Sequence, residues 1–458
     1  MYFSQYYLDC LSLASYLIAD EGTKRAILVD PRRDINEYLA DAEARGFTIE
    51  GVINTHFHAD FLAGHLEVAA ATGAWIGYGQ RAEAEYPIRR LADGERISLG
   101  DVTLEIMETP GHTPESISVL VYEHADDPVP YGVLTGDALF IGDVGRPDLL
   151  ASLGYTAEEL ASMLYDSIQR LMRLPDSVRV FPAHGAGSAC GKNLSTANRS
   201  TIGEQRRTNP ALSPMTEDAF VEAVTSGQPV APPYFVFAAT TNRRDRDLLD
   251  EDATTPRLSV EEALRLVEDG AVMIDGRDPE TFAVGHLVGA VNVGLDGRFA
   301  EYAGDVVRPD QPVIVITEPG REDEARIRLA RIGFDHVVGA VADVDAVLAS
   351  HLGLVGVADR LSPDEAARAL ADESGRVQLV DVRNPGETVG GALPGAVNVP
   401  LASLLDRIDD LDPTIPTVVY CAGGYRSSVA ASLLRSRGFT GVADILGGYD
   451  AVAASAAV

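Results

Sequence analysis

The stretch "IDGRDPETFAVGHLVGAVNV", starting at Ile274, returns as "VDVRNPGETVGGALPGAVNV", starting at Val380. Asp275 and Asp381, Arg277 and Arg383, Pro279 and Pro385, Gly289 and Gly395, and Asn292 and Asn398 all keep one offset, 106 residues. Further on, "ARIRLARIGF" matches "AASLLRSRGF" one residue out of step. Repeats that stack into solenoids run to about 20–50 residues. A unit of about 100 residues is long enough to bury a core of its own. Apolar strand-like runs alternate with helical ones, so each unit reads as an α/β domain. One copy is placed over residues 256–353 and the other over 356–458.

Ahead of the duplication, "RAILVDP" and "GVINTH" read as buried strands, and "VTLEIMETPGH" alternates until a Pro-Gly turn stops it. "SISVLVY", "GVLTGDALF" and "VRVFPAHG" read the same way. Helices are expected over 34–45, 63–71 and 156–174, the last opened by Thr156 and Glu159 at capping-box spacing. Periodicity lapses over 240–256, "TTNRRDRDLLDEDATTP", which reads as a linker closing a first domain at 1–240. His56, His112, Asp137 and His184 each fall at or just past the end of a strand-like run. Loops at strand ends can bring side chains to one point while a sheet holds them. His58 and Asp60 continue the row from His56, since side chains two apart in an extended segment share a side. Imidazole and carboxylate are the ligands of zinc or non-haem iron.

These motifs, "THFHADF", "TPGHTP", "TGDALF" and "FPAHG", resemble in their order the metallo-β-lactamase superfamily over roughly residues 1–235. The resemblance implies an αββα sandwich with a metal at one edge of the paired sheets. Members of that family usually hold two zinc ions, with a histidine after the aspartate of the first motif; here that position is Phe61. One metal held by His56, His112 and Asp137 is the two-histidine, one-carboxylate set of non-haem Fe(II) oxygenases, open on one face. With "GDVGRPDL", the resemblance runs to the persulfide dioxygenases. These use Fe(II), one per chain, and O₂ to oxidise a small thiol persulfide, such as glutathione persulfide, to sulfite. His58, Asp60 and His184 then orient ligands or contribute to a second metal site. Arg146 is read either as a handle for the anionic substrate or as half of a salt bridge. Cys190, six residues after His184, is either a small buried hydrophobe or a catalytic sulfur acceptor beside the metal. Cys10, in an apolar run, is expected in the core.

"VVYCAGGYRSSVAASLLRSRGF" carries the second chemistry. A strand ends at Cys421, a glycine-rich loop follows, and a helix with Val429, Leu433 and Leu434 on one face closes at Gly438. Backbone N–H groups of such a loop favour an anionic sulfur. Arg426 adds positive charge, and Gly423, Gly424 and Tyr425 form the substrate-binding loop. A tyrosine-phosphatase loop has five residues between cysteine and arginine; here there are four, which suits a persulfide rather than a phosphate. The loop, with "DVR…PGAVNVP" before it, is similar to the rhodanese (sulfurtransferase) family, whose domains are three-layer α/β with a parallel sheet. Ala392 stands where that family has a histidine, kept in the first copy as His286. The first copy reads "VIVITEPGREDEAR", with Ile316 or Thr317 at the cysteine position, so it cannot form a persulfide.

The formal net charge is −32, which argues against nucleic acid and against an anionic membrane surface as partners. No apolar run approaches the roughly 18 residues of a membrane helix. The first residues lack a basic region and a small-residue cleavage site, so no signal peptide is expected. Three widely spaced cysteines suit a reducing cytoplasm better than a disulfide framework. The sequence thus leads to oxidation of a thiol persulfide coupled to sulfur transfer that makes or uses thiosulfate. The alternative is a binuclear zinc thioester hydrolase resembling hydroxyacylglutathione hydrolase, fused to a sulfurtransferase. A third reading, a sulfur-binding module with a structural metal, fits poorly with so few cysteine ligands. A homodimer is left open.

Overall fold

The strand Leu13–Ala19 is buried along its whole length. Ala14, Tyr16 and Ile18 face a core shared with Leu104, Ile106, Val119, Val121 and Phe181 of a second sheet. Leu17 and Ala19 face the other way, onto Tyr38 and Ala42 of the helix Asn36–Arg45 and Val68 of the helix His65–Thr72. A continuous apolar run therefore marks a strand covered on both faces. In this computed structural model, which describes residues 1–149, 154–371 and 377–456, that pattern builds four layers. Residues 372–376 and 457–458, in the span read as the third domain, lie outside the described residues.

The first sheet runs in the order Tyr2–Leu8, Leu13–Ala19, Arg25–Val29, Thr48–Ile53, Trp75–Gly79, Arg89–Leu91. The second runs Ser200–Thr201, Arg179–Pro182, Gly132–Gly136, Ile117–Tyr122, Thr103–Glu108, Arg96–Ser98. On the outer face of the second sheet, Leu120, Val133 and Val180 meet Leu164 and Ile168 of the helix Ala157–Leu171. This is the expected αββα sandwich. Thr156 and Glu159 close the capping box that opens that helix. Cys10, expected in the core, is half-buried at the turn after the first strand.

The chain forms two units, Met1–Pro229 with Phe235–Glu251, and Val230–Tyr234 with Asp252–Val458. The second contains two five-stranded parallel sheets, one per repeat. In the first repeat the order is Arg257–Leu258, Val337–Val341, Val313–Ile316, Val272–Asp275, Val291–Asn292. In the second it is Asp359–Leu361, Val442–Ile445, Thr417–Tyr420, Gln378–Asp381, Val397–Asn398. Among the described residues no helix is long and apolar enough to cross a membrane.

The stretch 240–256 departs from its reading as a linker. Thr240 and Thr241 end the helix Phe235–Thr241. Asn242 is wholly buried: its amide donates to the carbonyls of His58 and Phe61, both at 2.8 Å, and its oxygen accepts from Ala63 N–H at 2.9 Å. Arg246 pairs with the buried Glu67 at 2.6 Å. These bonds reach back about 180 residues, which local periodicity does not register.

Candidate functional site

Each metal-ligand candidate leaves its sheet within a few residues of a strand end. Asp137 directly follows Gly132–Gly136, His184 lies two past Arg179–Pro182, His56 three past Thr48–Ile53, and His112 four past Thr103–Glu108. His56, His112 and Asp137 are all buried, and their nearest ligand atoms lie within 4.8 Å of one another. Asp137 Oδ2 is 3.5 Å from His112 Nε2 and 3.8 Å from His56 Nε2. Neither His56 Nε2 nor Asp137 Oδ2 has a hydrogen-bond partner inside the protein. Buried polar atoms without partners are costly, and two of them converging beside His112 Nε2 fit a divalent metal.

The remaining atoms of these side chains are fixed. His112 Nδ1 lies 2.8 Å from the Arg146 carbonyl, and His56 Nδ1 lies 3.0 Å from Thr55 Oγ1. Asp137 Oδ1 bonds His184 Nδ1 at 2.7 Å. Such partners set which ring nitrogen is free to ligate. Burial pushes the Asp137 carboxyl up, but His184, His56 and His112 outweigh it and hold it below the ordinary carboxylate range. Burial likewise lowers His56, aided by His58, so its imidazole stays neutral, the form that ligates.

His58, Asp60 and His184 make a second group within 4.8 Å. His184 Nε2 sits 2.7 Å from Asp60 Oδ2 without the angles of a hydrogen bond. His58 Nε2 is held by Asp30 at 2.9 Å, and Phe61 is wholly buried with its ring 4.3 Å from the His58 ring. The ring thus places carbon beside this second group. Cys190 completes a third group with Asp137 and His184. Its thiol is pushed well up, chiefly by burial and then by Asp60 and Asp137.

Arg146 resolves to the structural side of its two readings. Its fork makes two 2.7 Å bonds to Asp148, and Nη1 donates to the Ala189 carbonyl at 3.0 Å. Its backbone N–H donates to the Cys190 carbonyl at 3.0 Å. The guanidinium is engaged inside the protein, and Arg146 ties His112 to the Cys190 loop. Asp30 and Asn242 escaped the sequence reading. Asp30 sits at φ +48°, a left-handed conformation disfavoured for a non-glycine residue. Its carboxylate also accepts from Thr55 N–H at 2.7 Å and the Thr55 hydroxyl at 2.8 Å, so it fixes both His56 and His58. Its one signal was its place, just after the apolar strand Arg25–Val29.

In the second unit, Cys421 follows the strand Thr417–Tyr420 and is buried. Gly424 N–H donates to its sulfur at 3.1 Å, and the Ser427 hydroxyl lies at 3.7 Å. Gly424 takes φ +95° and opens the helix Tyr425–Ser436. Gly423 is exposed. Gly448, which sequence reading passed over, lets the next turn close on the loop: a methyl there would lie 2.3 Å from the Cys421 carbonyl. Arg426 turns its fork to Glu387, with bonds of 2.7 and 2.6 Å. The Tyr425 hydroxyl donates at 2.6 Å to the Gly294 carbonyl of the first repeat rather than lining an open loop. The helix is buried from Ser427 to Leu434, not on one apolar face alone.

Residues 8–184 match the metallo-beta-lactamase superfamily, and residues 259–342 and 362–455 each match the rhodanese-like domain. The hydroxyacylglutathione hydrolase of Rhodospirillum rubrum is 30% identical over 50% of this chain and 93% of its own length. The human mitochondrial persulfide dioxygenase ETHE1 is 27% identical over 50% of this chain and 83% of its own. Of other curated relatives, the chain spans 52% and 51% of the length. A crystal structure described as a metallo-beta-lactamase from Staphylococcus aureus COL is 33% identical, covers 74% of this chain and 98% of its own, and superposes with a TM-score of 0.67. The chain belongs to the metallo-β-lactamase superfamily and joins that domain to two rhodanese-like domains.

Proposed function

We propose that the first domain oxidises a small thiol persulfide to sulfite at one Fe(II), and that Cys421 carries sulfane sulfur to or from thiosulfate. The observation that carries this reading is the buried His56, His112 and Asp137 set, with Phe61 packed against His58 of the second group. The persulfide dioxygenase relatives support it. His56, His112 and Asp137 would hold the iron, which would supply redox chemistry toward O₂ and a sulfur anion. The overall change is R–S–SH + O₂ + H₂O → R–SH + SO₃²⁻ + 2H⁺. The chain's own part is to hold His112 Nε2, His56 Nε2 and Asp137 Oδ2 in register through Arg146, Thr55 and His184.

At Cys421, attack of the thiolate on the outer sulfur of thiosulfate forms Cys–S–S⁻ and releases sulfite. The reverse hands the sulfur to sulfite and restores the thiolate. Gly424 N–H, pointed at the sulfur, stabilises either anion. Thiol persulfide, O₂, sulfite and thiosulfate are thus the proposed partners, in a reducing cytoplasm.

Oxygen uptake by the Fe(II)-loaded protein on addition of glutathione persulfide tests the reading. Uptake that yields sulfite, is lost in His112→Ala and is kept in Cys421→Ser is expected. A second reading has an observation of its own: His58, Asp60 and His184 also gather within 4.8 Å. Two zinc ions per chain, with turnover of S-lactoylglutathione and no oxygen uptake, would replace the dioxygenase by a thioester hydrolase.

A further inference from the structure

The helix that follows Cys421 is serine-rich on the side away from its apolar residues, yet that side is buried too. The first repeat covers it. Asn292 N–H, in the edge strand Val291–Asn292, donates to the Ser432 hydroxyl at 2.9 Å. Two turns earlier the Tyr425 hydroxyl reaches the Gly294 carbonyl, and its ring lies 5.4 Å from that of Tyr302. A methyl added at Gly297 would come within 2.6 Å of the Tyr425 ring. The turn 294–297 is itself held by the buried Arg328, which donates to the carbonyls of Leu295 and Gly297. At the shared offset of 106, the second repeat has Pro400 and Ser403 where the first has Gly294 and Gly297. The seat for Tyr425 is therefore a property of the first repeat, not of the scaffold the two share.

Tyr425 stands between two residues that matter to the sulfur. Gly424 N–H bonds Cys421 Sγ, and Arg426 carries the loop's charge. A shift of the ring moves both. The helix Phe299–Val306 of the first repeat also packs against the helix Tyr425–Ser436 and brings Tyr302 and Asp305 within electrostatic reach of Arg426. Its Asp305 is buried and held well above the usual carboxylate range, chiefly by burial and by Glu301, with Arg426 opposing.

We propose that the cysteine-less repeat is the positioning element of the sulfur-carrying loop, acting through Tyr425 seated in the turn 294–297. The proposal rests on the reading of Cys421 as the sulfur carrier. Steady-state transfer from thiosulfate to cyanide, read as thiocyanate, tests it in the full chain, with Gly297→Ala, Tyr425→Ala, their double variant and Tyr425→Phe. Gly297→Ala lies outside the sulfur-bearing repeat. It is expected to lower kcat about tenfold while KM for thiosulfate changes less than twofold. Tyr425→Ala should lose as much, Tyr425→Phe should recover most of the rate, and the double variant should be no slower than Tyr425→Ala alone. Wild-type kcat in Gly297→Ala, or losses that multiply in the double variant, would overturn the proposal. Should Tyr425→Ala not fold, Gly297→Ala and Tyr425→Phe decide the matter, with unchanged melting temperatures as the control. Full transfer by Cys421→Ser would instead sink the underlying reading, whatever the other variants do.

Discussion

The two repeats share a scaffold down to single hydrogen bonds and differ where chemistry would occur. In the first, Asp275 accepts four bonds from Arg277, whose Nη2 also reaches the Gly285 carbonyl, and Asn292 caps the carbonyls of Asp275 and Arg277. In the second, Asp381, Arg383, Gly391 and Asn398 repeat every one of these contacts. The loops then diverge. Cys421 is met by Gly424 N–H, whereas Thr317 turns its hydroxyl to the Glu318 carbonyl. Arg321, in the loop of the first repeat, is taken up by Asp296 and Glu324. The scaffold motif therefore specifies a fold, and the few residues after the third strand of the sheet are where the two repeats part.

The comparison can be broken most sharply by exchanging the nucleophile. Cys421→Ser should reduce thiocyanate formation to background, and adding Thr317→Cys should not restore it, because the Thr317 side chain is turned to the Glu318 carbonyl whereas Cys421 is met by Gly424 N–H. Any transfer by that double variant would show the loops to be equivalent. The next largest effect is on stability. Removing Arg277 or Arg383 leaves a buried aspartate unpaired, so each alanine variant should lose about 3–5 kcal/mol in denaturant unfolding. Only Arg383→Ala should also slow Cys421. A smaller change is expected from Glu387→Gln, which releases the Arg426 fork. KM for the thiosulfate dianion should fall severalfold, and a rise would show that the ion pair orders the loop rather than masking its charge.

The smallest effect concerns acid. Burial pushes the Glu387 carboxyl up, but its bonds from Arg426 outweigh that and leave it lowered. A lowered carboxylate favours the closed pair at pH above its unfolded value and gives that up as pH falls through its folded one. The Arg426 clamp should thus stay closed through the ordinary glutamate range and open only below it. Thiosulfate KM measured against pH should show this limb in wild type and lose it in Glu387→Gln.

The ligand set was legible because its residues sit at successive strand ends, and strand ends can be read from apolar runs. The scaffold was legible because Asp, Arg and Asn recur at one offset and perform one task. Asp30 and Asn242 were not, since each acts on residues tens to hundreds of positions away and neither repeats. Arg146 offered two readings that only its partners, Asp148 and Ala189, separate. The cover over the serine side of the helix Tyr425–Ser436 was not legible, because sequence periodicity shows which side is apolar, not what covers the other.

Asn242 has a consequence for how such chains can be cut and joined. A transplant of the first domain that stopped at Thr240, where the composition changes, would carry every candidate metal ligand named above and still leave the carbonyls of His58 and Phe61 and the N–H of Ala63 without their partner. Its boundary falls later, past Arg246 and its grip on Glu67. Shuffling of this domain between proteins is therefore constrained by a tail that looks expendable.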